Sequence, residues 1–410
     1  AGAAGKSAGP DFDVFNMYGG RRRCTVKADG TVKAFFGEND YNPDDISVQT
    51  MVYQPKFYYR VVPLKTDKIE NGIGYHIRKA NYYVSDTPKA GFKLHPAFYD
   101  ENGKEIEYIL YSAFEGAYAV HYFSEAQQAE LFNDAADVSS EINMEEDCIL
   151  SVSGAKPVTG MQKTLTRQNA ETLCRNFGVG WHCETIKTLS ANQLLMMIEY
   201  GTMNLQNAIG KGIVNADNVS GKNCAGYTGA TNTLGNETGT AEETSFKTDS
   251  STPEIHYSEN GKTAVSYRGI ENPWGNTWKW TQGINLGKSM SSGQSMVYAA
   301  DDFDFKENCY DENYRFAGFT VQNQTVAGYI SAMGYGNEEY DWMFMPTEIN
   351  GNSNLPVGDN CYLGSSGVLR SGAHWAENTG AGAFCTSYRY SATYKSVATG
   401  CRTVYIPTAE

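Results

Sequence analysis

The sequence predicts an α+β fold of many short antiparallel strands, two central helices and long loops. Three observations predict it. Runs rich in β-branched and aromatic residues, closed by Gly, Asn, Asp or Pro, fill the first 150 positions and return after residue 263. Two stretches in mid-chain repeat their apolar residues with helical spacing instead. Between the second of these and the later strands, positions 215–262 are rich in Gly, Thr, Ser and Asn, the composition of surface loops on a scaffold.

The elements follow in order. Residues 1–10 are small and polar, lack the apolar run of a signal peptide, and read as a flexible linker or a remnant of cloning. Asp29-Gly30 between two alternating segments marks a hairpin over 24–35. Residues 57–62 form the strand core of the aromatic stretch 51–64, and further strands are expected over 74–77, 82–85 and 107–114. Ala170, Leu173, Cys174 and Phe177 make one helical stripe, with Gly178 as its stop. The second helix is expected to start at Ser190, with Gln193 completing a capping box; Leu194, Met197 and Ile198 are its stripe and Gly201 its end. Residues 1–45 are expected to form a linker and a small β-rich region, and 46–410 one large domain.

The 33 Lys+Arg against 47 Asp+Glu leave a charge of −14, which argues against a sequence-independent grip on nucleic-acid phosphates. The one basic run, Arg21-Arg22-Arg23, lies beside glycines and is expected to be a solvated turn. No window approaches the ~18 apolar residues of a membrane span, so a soluble chain without membrane insertion is expected. None of the nine cysteines shows the C-x-x-C spacing of a zinc site. They read as reduced, buried side chains of a protein assembled in a cytoplasm, with one or two disulfides as the alternative.

Three features are more particular. Trp274, Trp278 and Trp280 surround Gly275-Asn276, and the run Gly275-Asn276-Thr277-Trp278-Lys279-Trp280 resembles the G-N-x-W-x-W signature of the formylglycine-generating-enzyme branch of the C-type lectin fold. The helix pair matches that fold's two helices in order and spacing. Ser371-Gly372-Ala373-His374-Trp375, Ala381-Gly382-Ala383-Phe384 and Gly400-Cys401-Arg402 resemble the G-G-x-W, A-G-x-F and G-F-R frame that ends the variable proteins of diversity-generating retroelements. Ser371 and Cys401 depart from it, standing where Gly and Phe are usual. Segments 51–59, 94–98 and 198–202 are similar to ones common in gut-phage members, so the resemblance runs from about residue 46 to 407.

The resemblance implies a C-type lectin-like domain over 46–410 that displays a diversified segment, 371–402, at a phage tail tip or fibre, or on a bacterial surface. Diversified positions lie between the frame residues: His374, Ala376, Gly380, Ser387, Arg389, Tyr390, Tyr394, Ser396 and Ala398, with Asn378, Cys385 and Tyr388 as further candidates. Composition points the same way. Ala, Gly, Ser, Thr and Tyr make up 21 of the 30 residues from 371 to 400, a mixture that resembles antibody paratopes. Trp375, Tyr388, Tyr390 and Tyr394 are available as aromatic anchors. Trp375 also belongs, with Phe384, Gly400 and Arg402, to the frame that holds the loop. The blander alternative is a small-residue segment that merely closes the domain.

The expected function is therefore non-enzymatic binding of a bacterial surface receptor, protein or glycan. Homo-oligomers or virion tail proteins are expected as possible assembly partners, and the virion as the location. No cofactor is required, and a structural calcium ion is possible by fold analogy. A formylglycine-type copper oxidase needs a second thiol near Cys385. A sulfoxide synthase needs a histidine cluster, and the six histidines show no H-x-x-x-H spacing. No G-x-S-x-G or H-E-x-x-H motif suggests a hydrolase. A non-diversified glycan-binding adhesin remains the other class, without the Glu-Pro-Asn or Gln-Pro-Asp motif of calcium-dependent lectins. The acidic clusters 301–304 and 338–341 read as solvated loops, and His95 as a packed structural histidine.

Overall fold

The structure is a computed structural model that describes residues 6–70, 73–120, 130–132, 142–160, 164–216, 221–241, 261–287, 294–307, 313–322, 326–336, 338–364 and 366–409. Among these the chain forms four α-helices and many short, mostly antiparallel strands, an α+β protein dominated by β structure.

The expected 24–35 hairpin is present as strands Arg22–Val26 and Val32–Phe35. Its turn places Gly30 at φ +82°, where a Cβ would also collide with the Tyr405 ring. The hairpin is the edge of a six-stranded sheet that runs from Trp181–Cys183 through Thr403–Tyr405, Tyr108–Ser112 and Gln49–Pro55 to Arg22–Val26 and Val32–Phe35. All these neighbours are antiparallel. The division expected near residue 46 falls inside this sheet, whose strands come from both ends of the chain.

The strands expected over 74–77 and 82–85 are one strand, Tyr75–Ser85, paired along its length with Tyr58–Lys68. A second large sheet holds the C-terminal third. Its order is Tyr314–Gln322, Gln294–Ala300, Trp278–Gly287, Gly367–Ser371, Thr386–Tyr388, Asn360–Leu363 and Ala327–Tyr329, with Thr399–Gly400 parallel to the start of Trp278–Gly287.

The first long helix, Arg167–Arg175, is capped by the Thr166 side chain. It buries Ala170, Leu173 and Cys174 as expected, while Phe177 lies beyond its end against Trp181. The second spans Ile186–Tyr200, four residues earlier than expected. Its capping box is Thr185 with Thr188, and Gly201 closes it at φ +65°. Ser190 and Gln193 misled because they are buried polar residues inside a helix enclosed on most sides, not terminal signals. Gln193 donates to the Ala383 carbonyl at 2.7 Å, and Asn192 accepts from Arg21 at 2.8 Å.

That last contact corrects the solvated-turn expectation. Arg21 and Arg23 are buried, Arg21 over the rings of Tyr111 and Tyr267, and Arg23 over Phe114 with bonds to Gly269 and Thr231. The linker expectation fails from Gly9 onward, where the Gly9 amide donates to Glu199 and Asp13 pairs with Arg268. The loop expectation for 215–262 is half corrected. Asn223, Cys224 and Ala225 are buried, and much of the remainder, 217–220 and 242–260, lies outside the described residues.

The eight described cysteines are buried and no disulfide joins any two of them, and Cys309 lies outside the described residues. His95 is enclosed by Phe57, Tyr59, Phe98 and Trp342, as expected of a packed histidine. Asp341 is no solvated loop residue, since it accepts from Tyr59 Oη at 2.6 Å and pairs with Lys93 at 2.9 Å.

Candidate ligand-binding site

The C-terminal segment is fastened to the tryptophan motif. Gly275 and Asn276 both adopt positive φ, +76° and +62°, and a Cβ on Gly275 would lie 2.6 Å from the Ile213 carbonyl oxygen. This turn frees Asn276 to bond in three directions. Its side chain donates to the buried Glu115 carboxylate, its Oδ1 accepts from the Gly226 amide at 2.7 Å, and its carbonyl accepts from the Trp375 amide at 3.1 Å. Glu115 also accepts from Thr277 Oγ1 at 2.6 Å and pairs with buried Lys279 at 3.2 Å. The Gly275 amide donates to the Gly372 carbonyl, and the Phe384 amide to Asp359 at 2.7 Å. Arg402 donates to the Glu271 and Asn272 carbonyls. Cys401 meets the thiols of Cys174 and Cys183 in the core.

On this support the segment forms a cleft of about 130 Å³. Trp278 and Tyr362 wall one part of it, and Tyr390 and Tyr394 wall another, their rings stacked at 3.8 Å and 11°. Arg370 forms the inner surface. Its guanidinium carbon lies 5.0 Å from the Trp278 ring, 4.7 Å from Tyr390 and 5.1 Å from Tyr394. Arg370 donates to Thr399 Oγ1 at 2.8 Å and to Ser387 Oγ at 3.2 Å, while its Nε is buried without a partner. Burial pushes its pKa down to about 10, which leaves it charged at neutral pH.

At the rim, Glu377 accepts from Tyr362 Oη at 2.7 Å and pairs with His374 at 3.1 Å. Burial raises the Glu377 pKa, but the bonds from His374 and Tyr362 outweigh it and the net shift is downward. Arg389 lies over Tyr362 at 5.6 Å, and its Nε is also buried and unpartnered.

The thirteen residues nominated from sequence divide clearly. His374, Ser387, Arg389, Tyr390, Tyr394, Ser396 and Ala398 all line this cleft. Ala376 and Asn378 are exposed beside it, Asn378 at φ +51°. The other four need correction. Trp375 is wholly buried in a cluster with Ile213, Ala216 and Cys224, so its side chain does not face the cleft. Cys385 and Tyr388 are core residues; Tyr388 lies in the strand Thr386–Tyr388, where successive side chains alternate faces and its neighbour Ser387 takes the cleft side, while Cys385 is buried just before that strand. Gly380 is buried where a Cβ would strike the Asn360 side chain. Arg370, Tyr362 and Trp278 were missed as lining residues. Tyr362 reaches the site through parallel pairing with Ser387, which no local pattern announces.

A larger cavity, about 960 Å³, lies elsewhere, among Phe12, Phe15, Tyr82, Met197 and Met203. Its lining is mostly apolar, and it gathers none of the nominated residues. Cys385 does have a thiol neighbour missed in the sequence, Cys361 on the adjoining strand. Both are buried, and burial pushes the Cys361 pKa up to about 12 and the Cys385 pKa well above the usual thiol value. No cluster of His, Cys, Asp or Glu suited to a metal occurs among the described residues. No described helix is long and apolar enough to cross a membrane.

No protein-family profile and no curated protein matches the chain. Among solved structures it is similar to the Major Tropism Determinant U1 variant, at 12% identity over 94% of this chain and 72% of that one, with a TM-score of 0.30. The P3c variant gives 10% identity over 94% and 71%, also with a TM-score of 0.30. At this TM-score the overlap is loose.

Proposed function

We propose that this protein is a receptor-binding protein whose C-terminal segment 371–402 presents a diversified site, on a C-type lectin-like scaffold of the formylglycine-generating-enzyme subclass. The observation that carries the proposal is convergence. Seven side chains nominated from the spacing of the frame line one aromatic-walled cleft, although they are spread over 25 positions of sequence. The partner is a bacterial surface receptor and the location a phage tail tip or fibre, where association with tail proteins or other copies of the chain belongs to the same proposal. Binding of this kind needs no cofactor, and a structural calcium ion stays part of the proposal only by fold analogy. An oxidase is less well supported. Its chemistry requires accessible thiolates, and the Cys361–Cys385 pair is buried and held protonated.

Two measurements test this. The DNA downstream of the gene should carry an imperfect copy of the stretch encoding 371–402, next to a reverse transcriptase and differing at adenines. Without such a copy the diversified reading fails and an invariant adhesin takes its place. The purified chain should bind whole host bacteria, and the Tyr390→Ala/Tyr394→Ala variant should lose at least tenfold in affinity. Equal binding by the variant would remove the cleft from the receptor site.

A further inference from the structure

The cleft holds an electrostatic imbalance that points to the class of ligand. Arg370 and Arg389 both present a buried Nε without a hydrogen-bond partner, and both line the same space. Among the described residues neither guanidinium has a carboxylate within ion-pair distance. The one carboxylate that lines the cleft among the described residues, Glu377, is occupied by His374 and Tyr362. A buried cation held by the neutral hydroxyls of Thr399 and Ser387 and by aromatic rings, without an anion beside it, is costly, and an anion of matching shape relieves that cost on binding. The imbalance is local, because the chain as a whole carries −14 and repels anions at long range.

Size and walls narrow the choice. About 130 Å³ is well below the ~300 Å³ at which drug-sized pockets begin, so the cleft admits one terminal group of a larger ligand. Trp278, Tyr362, Tyr390 and Tyr394 offer ring faces and edges around that space, and Ser387 and Ser396 add hydroxyls. Aromatic walls suit the apolar face of a ring, hydroxyls suit its polar edge, and a guanidinium edge suits a carboxylate. Resting on the receptor-binding proposal, we infer that the cleft takes a carboxylate-bearing sugar ring, a uronate-type terminal residue of a host surface glycan.

Saturation-transfer NMR on the full chain tests this with methyl glucuronide, its neutral counterpart methyl glucoside, and N-acetylglutamate as the acidic group of a peptide. Glucuronide should bind at least tenfold more tightly than either of the others. Arg389→Gln, at a half-buried position, should weaken glucuronide about tenfold and leave the weak glucoside signal unchanged; Arg370→Lys should weaken it while melting normally. Glucoside binding as well as glucuronide, no binding by any probe, or indifference to Arg389→Gln would each overturn the inference. Preference for N-acetylglutamate would overturn it in favour of an acidic peptide. The receptor proposal fails separately. If Tyr390→Ala/Tyr394→Ala abolishes adhesion to host cells while glucuronide does not bind, only the ligand class falls. If the double variant adheres normally, the receptor proposal falls, whatever the sugar does.

Discussion

The Tyr390–Tyr394 stack decides whether the cleft exists before its ligand arrives. At 3.8 Å and 11° the rings are in full contact, and both lie close to the Arg370 guanidinium. An aromatic pair contributes about 0.5–1.5 kcal/mol beyond area burial, and a desolvated cation over a ring about as much again. Each ring is only partly buried, so a single Tyr→Ala truncation should cost about 1–2 kcal/mol of local stability, well short of the 3–5 kcal/mol of a fully buried aromatic. The pair term is counted in both single variants but lost only once in the double. Tyr390→Ala/Tyr394→Ala should therefore cost about 1 kcal/mol less than the sum of the singles.

A chain of 410 residues with several sheets is poorly suited to a single global unfolding energy, so the cycle should be read locally. The Val368 amide donates to the Tyr390 carbonyl at 3.0 Å, and its native-state hydrogen exchange reports opening of the segment. Four proteins, wild type, two singles and the double, give the coupling directly. Independent sites add within ~0.3–0.5 kcal/mol. Additivity inside that limit would show that the rings do not stack in solution and that the wall forms only with a ligand. Single-variant losses of several kcal/mol would instead make the tyrosines core residues.

Two further outcomes follow from buried groups. Asn276→Ala breaks the link between Glu115, Gly226 and the tryptophan turn and leaves an L-residue at positive φ, so it should cost about 2–4 kcal/mol by thermal melting. Asn276→Gly keeps the backbone and should recover about 1 kcal/mol of that; equal losses would mean that φ plays no part. Burial pushes the His95 pKa down to about 3, below the ~6.5 of the unfolded chain. Its contribution is complete above pH ~6.5 and is lost as pH falls toward 3, at up to about 1.4 kcal/mol per pH unit. His95→Asn keeps an acceptor for the Ala97 amide without titrating, and should flatten the stability profile between pH 6.5 and 5. An unchanged slope would show that other groups govern acid sensitivity.

What was legible in the sequence was local. The Asp29-Gly30 hairpin, the stripe of Ala170, Leu173 and Cys174, and the αL stop at Gly201 are set by neighbours within a few residues. The illegible features join distant parts of the chain. Arg21 looked solvated because its acceptor, Asn192, and its ring partner, Tyr267, are remote in sequence. Ser190 and Gln193 looked like a helix start because burial of a polar side chain is decided by its partner, here Ala383 for Gln193. The cleft residues came from frame spacing, which located the segment but not the direction of each side chain. Strand alternation around Thr386–Tyr388 supplied that direction and moved Tyr388 into the core.

The tolerance of this site to substitution follows from which atoms hold it. Gly275 to Gly372, Trp375 to Asn276, Gln193 to Ala383 and Phe384 to Asp359 all use the main chain of the C-terminal segment. A main-chain bond survives any side chain, so changes at His374, Ala376, Arg389 or Ser396 leave these four ties intact. Surface or rim changes of that kind usually stay within about ±0.5 kcal/mol. Positions 390 and 394 differ, because their rings cover a buried guanidinium that has no carboxylate in ion-pair contact among the described residues. Replacing them exposes that charge as well as removing a wall. If the segment is diversified, folded variants should therefore range freely at the first four positions and keep an aromatic or another cover for Arg370 at 390 and 394.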